Sequence, residues 1–136
     1  MATLFVHITV KPGLEAAFEG MARQLYATTH AHEPSIRRYE YWRSATPRTY
    51  YSLLSFDDYT GFLHHQASEH HETLTRDFRS MIDSVRFEWV DPVTGAAPLA
   101  PTVAQDAPAD ANALMREYAG RMPVEIQPWW HARDGA

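Results

Sequence analysis

The segment from Thr3 to Val10 alternates between two sets of side chains, and this alternation constrains the fold more than any other feature. One set is apolar and consists of Leu4, Val6, Ile8 and Val10. The other set consists of Thr3, Phe5, His7 and Thr9. A period of two predicts a β-strand. After the Lys11-Pro12-Gly13 turn, apolar residues recur at helical spacing, which predicts a helix that ends near Ala31, before Pro34.

The rest of the first ninety residues continues this change of period. Two aromatic strands, at about 35–44 and 49–55, are close enough in sequence to form a hairpin. Asp57 or Asp58 can cap a short helix, Ser68 can cap a second helix, and residues 84–90 alternate again. The order β-α-β-β-α-β predicts a ferredoxin-like α+β sheet with its helices on one face.

Both faces of the predicted sheet carry large aromatic side chains, although the helices cover only one face. We expect Tyr39, Tyr41 and Tyr51 on one face, and Trp42 and Tyr50 on the other. An uncovered aromatic face of this size needs a partner. Back-to-back packing of two sheets would bury it, so the sequence predicts a homodimer.

Composition excludes several classes of function. The 136 residues carry a net charge of -5 without a basic stripe, which argues against nucleic-acid binding. No apolar run approaches the roughly 20 residues that span a bilayer, and residues 1–4 do not resemble the start of a leader peptide. We therefore expect a soluble, cytoplasmic protein without membrane contact. The absence of cysteine excludes a thiolate nucleophile.

A change of composition after Val90 predicts two parts, a ferredoxin-like domain at 1–91 and a tail at 92–136. The first stretch of the tail contains four prolines and many alanines, which is typical of a linker. Residues 109–119 could form a short helix. The end of the chain is apolar again, so the tail is expected to dock on the domain edge or on a partner subunit. Alternatively, Trp129, Trp130 or His131 closes a pocket.

The eight histidines do not have the spacing of a helical metal site. Four of them lie between His64 and His71, but none is three or four residues from another. Phosphate- and dinucleotide-binding glycine motifs are also absent. We therefore predict neither a metal nor a cofactor. His7 lies mid-strand on a face that protein must cover, where a neutral imidazole could act as a base, although an interface histidine is the simpler interpretation.

One stretch resembles a known family. Phe56, His65, Ser68 and His70 follow the aromatic-x9-H-x2-S-x-H run of the antibiotic biosynthesis monooxygenases. Val10-Lys11-Pro12-Gly13 with Phe18, and the run Tyr39 to Ser44, agree with it in order and spacing. The resemblance covers about Thr3 to Val90. It implies a dimeric α+β barrel fold, in which the ferredoxin-like sheets of two subunits pair.

The resemblance also implies a reaction without metal or flavin. In such members a bound phenol loses a proton, and its electron-rich anion reacts with dioxygen. Polyketide-tailoring members carry asparagine and tryptophan at positions similar to Ser52 and Phe56, so a quinol or another enol is as good a candidate substrate as an anthrone. We predict a monooxygenase-like protein that acts on a small aromatic, quinol or polyketide-type phenol. The predicted site has His7 as base, Ser52 and Tyr50 as oxyanion donors, and Trp42, Phe56, Phe62 and His65 as substrate-binding residues.

Two other functions stay open at this point. Haem-degrading relatives need an axial histidine near the position of Thr75, and His70 or His71 would have to replace it. The third possibility is a non-catalytic, ligand-binding dimer in which the tail is the functional part.

Overall fold

The structure is a computed structural model, and it describes residues 1–130. The strands are β1 (Ala2–Val10), β2 (Ile36–Arg43), β3 (Thr49–Phe56) and β4 (Ile82–Trp89). The helices are α1 (Glu15–His32), α2 (Tyr59–Gln66), α3 (Glu69–Leu74), α4 (Phe78–Met81) and α5 (Ala113–Arg121).

The four strands form one antiparallel sheet in the order β2-β3-β1-β4. This confirms the predicted ferredoxin-like α+β arrangement. Central β1 pairs with both β3 and β4, so that Val6 lies opposite Ser52 on one side and Phe87 on the other. The same side-chain face therefore continues across three strands.

The second helical region differs from the sequence-based expectation, because it is broken. Residues 68–81 were expected to form one helix, but α3 and α4 are separated at Thr75–Asp77. The Thr75 hydroxyl donates to the carbonyl of His71 at 2.5 Å. A side chain that bonds to the backbone in this way competes with helix continuation. The break leaves much of β4 without helical cover, and Phe87 is 48% exposed.

The core lies between the sheet and the helices, as the two periodicities require. The apolar set of β1 is almost completely buried, and so are Phe18 and Leu25 from α1. From α2, Tyr59, Phe62 and Leu63 complete the core. Asp58 caps this helix by accepting a hydrogen bond from the Gly61 amide at 2.8 Å.

The register corrects the predicted distribution of aromatics between the two faces. Tyr41 lies opposite Ser52 and Trp42 lies opposite Tyr51. The helix-covered face thus holds Tyr39, Tyr41, Tyr50, Ser52, Leu54 and Phe56. The open face holds Phe5, His7, Trp42, Tyr51 and Leu53. The expectation erred because a two-residue period fixes faces within a strand, whereas pairing fixes them between strands.

The segment after β4 packs against the domain. Met1 and Val103 are joined by a backbone hydrogen bond of 2.9 Å, and buried Thr102 donates its hydroxyl to the Val90 carbonyl at 2.8 Å. Further on, α5 places Met115 and Tyr118 in the core. The boundary near residue 91 stays a prediction, but the tail is attached to the fold at both of these points.

Within residues 1–130, no helix is both long enough and apolar enough to cross a membrane.

Gly61 shows how closely α2 packs on the hairpin. A Cβ at this position would lie 2.0 Å from Ser35 Oγ and 2.9 Å from Ser35 Cβ. We expect Gly61→Ala to lower the free energy of unfolding by about 1–3 kcal/mol, since overpacking forces neighbours to move. Gly20→Ala in α1 is the matched control, because its Cβ would meet nothing within 4 Å. That variant should gain up to about 1 kcal/mol from helix propensity. Urea unfolding of both variants measures the difference, and equal effects would contradict the packing argument.

Candidate active site

A cavity of about 920 Å³ lies between the sheet and the helices. Leu4, Val6 and Ile8 of β1 form an apolar floor. Helix residues and the C-terminal segment form the other walls. Cavities of this size that combine an apolar floor with placed polar groups suit small organic ligands.

The polar centre of the site is a carboxylate shared by two imidazoles. His65 Nδ1 lies 2.9 Å from Glu33 Oε2, and His70 Nε2 lies 2.6 Å from the same oxygen. His65 is 1% exposed, whereas Glu33 and His70 are partly buried. Charged groups are stable in such surroundings only when they are paired, so this cluster needs all three of its members.

Local backbone structure brings the three residues together. Glu33 caps α1 in an extended conformation, as expected for a residue that precedes proline. Ser68 caps α3 by accepting from the His71 amide at 3.3 Å, and it donates to the His65 carbonyl at 2.7 Å. The serine thus shapes the break that turns the last turn of α2 and the first turn of α3 toward one carboxylate. This gives the H-x2-S-x-H spacing a structural meaning.

The cluster determines the tautomer of His65. Burial by itself raises the pKa of Glu33, but the hydrogen bonds from His65 and His70 outweigh it and hold that pKa below its ordinary value. An ionised carboxylate only accepts hydrogen bonds, so His65 Nδ1 carries the proton. In the neutral imidazole with this tautomer, Nε2 holds the lone pair. Nε2 is buried and makes no hydrogen bond within the described chain. The His65 side chain lines the cavity.

A second polar group lies beside the first. The ring centroids of His65 and His71 are 5.1 Å apart, and both residues line the cavity. Burial, and then the electrostatic interaction with neighbouring His65, lower the pKa of His71 to about 4, so this imidazole is neutral at pH 7. Glu72 accepts a hydrogen bond of 2.5 Å from the hydroxyl of Tyr118, which α5 contributes.

Two tyrosines and Ser52 supply hydroxyl groups on the sheet side of the cavity. The hydroxyls of Tyr39 and Tyr41 are 3.0 Å apart. Burial raises the pKa of Tyr41 to about 12, so both rings stay protonated at neutral pH. A weak hydrogen bond from Ser52 slightly lowers the pKa of Tyr41 against the larger effect of burial, but no hydrogen bond of good geometry to the buried Ser52 Oγ exists in residues 1–130. It is therefore available to a polar atom of a ligand.

Of the seven site residues predicted from sequence, His65 and Ser52 line this cavity. Phe56 and Phe62 are completely buried behind it in the core, where the Phe56 ring centroid lies 5.3 Å from that of His65. Phe56 thus packs against the His65 ring, and neither phenylalanine lines the cavity that a ligand would occupy. Tyr50 is on the same face, but its hydroxyl donates to Glu19 at 3.0 Å, which leaves no free proton for an oxyanion.

His7 and Trp42 lie on the open face of the sheet, away from this cavity. Arg86 donates a hydrogen bond of 2.9 Å to His7 Nε2 and so occupies a lone pair that a base would need. Trp42 is 59% exposed and donates to Glu40. The sequence did not reveal this separation, because the face of each strand depends on the register. It also gave no signal for Glu33, which is distant in sequence from His65.

The two tryptophans of the tail border a different space. Trp129 and Trp130 line a cavity of about 460 Å³ against Phe87 and Trp89 at the end of β4. They do not line the larger cavity. His131, the third residue considered as a lid, lies outside the described residues.

Glu33, His65 and His70 have ligand atoms within 4.8 Å of one another, and carboxylate and imidazole are common ligands of divalent metals. The hydrogen bonds between them account for the same arrangement with protons alone.

The part of the chain that contains Glu33, His65 and His70 is similar to a known protein family. Residues 1–76 match the family described as antibiotic biosynthesis monooxygenase. The match spans more than half of the chain, and the chain belongs to this family. A search of curated proteins finds no match to it.

Solved structures agree on the fold. A protein of Pseudomonas aeruginosa has a TM-score of 0.62 and 22% identity, over 68% of this chain and 93% of its own. A candidate antibiotic biosynthesis monooxygenase of Caulobacter crescentus CB15 gives 0.64 and 22%, over 68% and 89%. A similarly named protein of Nitrosomonas europaea gives 0.64 and 17%, over 68% and 99%. The match covers almost the whole of each of these proteins, whereas about a third of this chain lies outside it.

The Glu19 contact that occupies Tyr50 predicts a pH effect on stability. The hydrogen bond from Arg43 lowers the pKa of Glu19 to about 2 from an ordinary 4.5, and Tyr50 adds to this against an opposing effect of burial. Because the folded-state pKa is the lower one, the ionised Glu19 stabilises the fold fully above pH 4.5 and loses this effect as the pH falls toward 2. Wild type should therefore exceed Glu19→Gln in unfolding free energy at pH 6, and the gap should close by about pH 2.

Urea unfolding between pH 2 and 6 measures that gap. Glu15→Gln, one turn earlier in α1, is the control and should show a smaller, flatter difference. A gap for Glu19→Gln that persisted unchanged to pH 2 would contradict the lowered pKa.

Proposed function

We propose that this protein is a cofactor-independent monooxygenase that oxidises a small aromatic, quinol or polyketide-type phenol with dioxygen. The observation that carries the proposal is the cavity-lining His65, whose buried Nε2 has no hydrogen-bond partner in residues 1–130 while Glu33 holds its Nδ1. The monooxygenase family supplies the class of reaction.

The first step assigned to the site is proton removal. His65 Nε2 takes a proton from the bound substrate, and the carboxylate of Glu33 stabilises the imidazolium that forms. The Ser52 hydroxyl donates a hydrogen bond to the substrate oxygen as its negative charge develops. The apolar floor excludes water, which strengthens both interactions.

The second step needs only the substrate anion and dioxygen. The anion gives one electron to dioxygen, and recombination of the radical pair forms a carbon–oxygen bond. The imidazolium of His65 returns its proton to the peroxide anion, which gives the hydroperoxide and restores the base. Loss of water from the resulting hydroperoxide leaves a carbonyl. In the net reaction a CH₂ group and O₂ become C=O and H₂O, so the substrate supplies all the electrons. The protein contributes the base, the oxyanion donor and the dry cavity.

Haem binding is the second candidate function, and one observation favours it. His71 lines the cavity as a neutral imidazole, the form that coordinates iron. Its Nδ1 contacts Glu72 at 3.4 Å. A Soret shift when haemin is added to wild type, and its loss in His71→Ala, would support this function.

We further propose a homodimer formed through the open face of the sheet, in a cytoplasmic setting. On this face Phe5 and Tyr51 stack with centroids 5.5 Å apart, and Trp42 is largely exposed. A partner sheet would bury these rings. Within this assembly, residues 1–91 would be the family domain and 92–136 an addition to it.

The role of His65 is tested by dioxygen uptake with a hydroquinone or an anthrone, measured above the autoxidation blank in the presence of a chelator. Removing a general base costs roughly 100-fold or more. We expect His65→Ala and His65→Asn to lose about this much turnover, with His65→Asn retaining a donor to Glu33. Glu33→Gln should lose less turnover, since Glu33 positions the base and does not itself remove the proton. Circular dichroism checks that each variant folds.

Two controls make this test specific. His64→Ala changes the exposed neighbouring histidine and should keep full turnover. His7→Ala should also keep it, because His7 lies on the other face of the sheet. Loss of turnover in His7→Ala, with His65→Ala active, would overturn our assignment and support the base predicted from sequence. If wild type shows no uptake with either substrate, haem binding becomes the better proposal.

The dimer is tested by mass in solution. Wild type should sediment as two copies of a 15.6 kDa chain. Tyr51→Glu places a charge in the proposed interface and should shift the mass toward one copy. Tyr26→Glu changes another exposed aromatic residue, which lies on α1, and should leave the dimer intact. A monomeric wild type would contradict the proposal.

A further inference from the structure

The large cavity is lined by charged side chains as well as by apolar ones. Six ionisable residues other than histidine and tyrosine line the cavity. They are Glu72, Arg76, Arg79, Asp83, Glu117 and Arg121. Their formal charges sum to zero, so the number of charges alone does not define a preference.

The partners of these residues do define one. Each acidic member already has a partner, because Glu72 accepts from the Tyr118 hydroxyl at 2.5 Å and Asp83 contacts Arg48 at 3.1 Å. Glu117 lies 3.8 Å from Arg121, whose guanidinium also sits 5.1 Å above the Tyr118 ring.

Arg76 and Arg79 differ from the other four residues. In the described part of the chain, neither side chain takes part in a hydrogen bond, ion pair or ring contact. Arg76 lies between α3 and α4 and Arg79 lies in α4; both side chains are exposed, and both border the cavity. Two guanidinium groups without a partner at the edge of an apolar cavity are suited to an anionic group, which they can bind through charge-assisted hydrogen bonds.

We propose that Arg76 and Arg79 bind a carboxylate on the ligand of this cavity, so that the preferred substrate is an aromatic acid rather than a neutral phenol. This proposal rests on the proposed use of the cavity as the substrate site. The aromatic part lies on the floor formed by β1, near His65 and Ser52, and the carboxylate lies at the mouth.

The test compares two probes of the same shape. Naphthalene-2-carboxylate and naphthalene-2-carboxamide differ in charge but hardly in size, and fluorescence titration gives the Kd of each. Two partly exposed charge-assisted contacts correspond to roughly a tenfold preference. We expect wild type to bind the carboxylate about tenfold more tightly at low salt, and the preference to shrink as NaCl is raised.

The variant Arg76→Gln/Arg79→Gln should lose the preference and keep its affinity for the carboxamide. The double variant Lys11→Gln/Arg23→Gln removes the same charge from exposed positions outside the cavity, and it should behave like wild type. Equal affinity of wild type for the two probes, or a preference that survives in Arg76→Gln/Arg79→Gln, would overturn the inference.

Probe binding and dioxygen uptake together distinguish a failure of the arginine role from a failure of the proposed oxygenase function. Carboxamide binding without a charge preference, together with dioxygen uptake on a neutral hydroquinone, would overturn only the role of the arginines. Failure of both probes to bind would overturn this inference and would also remove support for the cavity as a substrate site. A charge preference without any dioxygen uptake would support an anion-binding cavity in a protein that is not an oxygenase.

Discussion

The carboxylate of Glu33 is the constraint on which the rest of the site depends, because it joins three parts of the chain at one point. It ends α1, and it holds the last turn of α2 through His65 and the first turn of α3 through His70. A partly buried carboxylate is stable only with such partners. The same contacts hold His65 Nδ1 and leave its other ring nitrogen without a hydrogen-bond partner in residues 1–130. Structural stability and chemical readiness therefore come from one set of hydrogen bonds.

The cavity exists because the helices cover only part of one face of the sheet. The break between α3 and α4 leaves the apolar side of β4 exposed, and the C-terminal extension only partly replaces the missing helix. Its α5 brings Tyr118 and Arg121 to the wall. The similar solved structures cover about two thirds of this chain. Under the proposed function, selectivity among substrates would reside in the mouth of the cavity and in α5, and proton removal would belong to His65.

The two faces of the sheet have separate tasks. The helix-covered face carries Ser52 and the phenolic pair of Tyr39 and Tyr41, close to His65. The open face carries stacked Phe5 and Tyr51, and His7 is bound there by Arg86. Such a face, half apolar and half ion-paired, is what a second sheet would cover. In the proposed dimer, His7 would belong to the interface, and His65 on the other side of the sheet would be the residue for chemistry.

The sequence by itself determined the order of elements and the family. Alternation in β1, the proline after α1 and the caps at Asp58 and Ser68 are local signals, and local signals are readable because they depend on neighbours along the chain. Tertiary structure alone decided which residues meet. The partnership of Glu33 with His65 spans 32 residues, and the placement of His7 and Ser52 on opposite faces follows from strand pairing, where a shift of one residue exchanges the faces. The sequence could therefore identify His65 and Ser52 as candidates, but only the packed fold could separate them from His7.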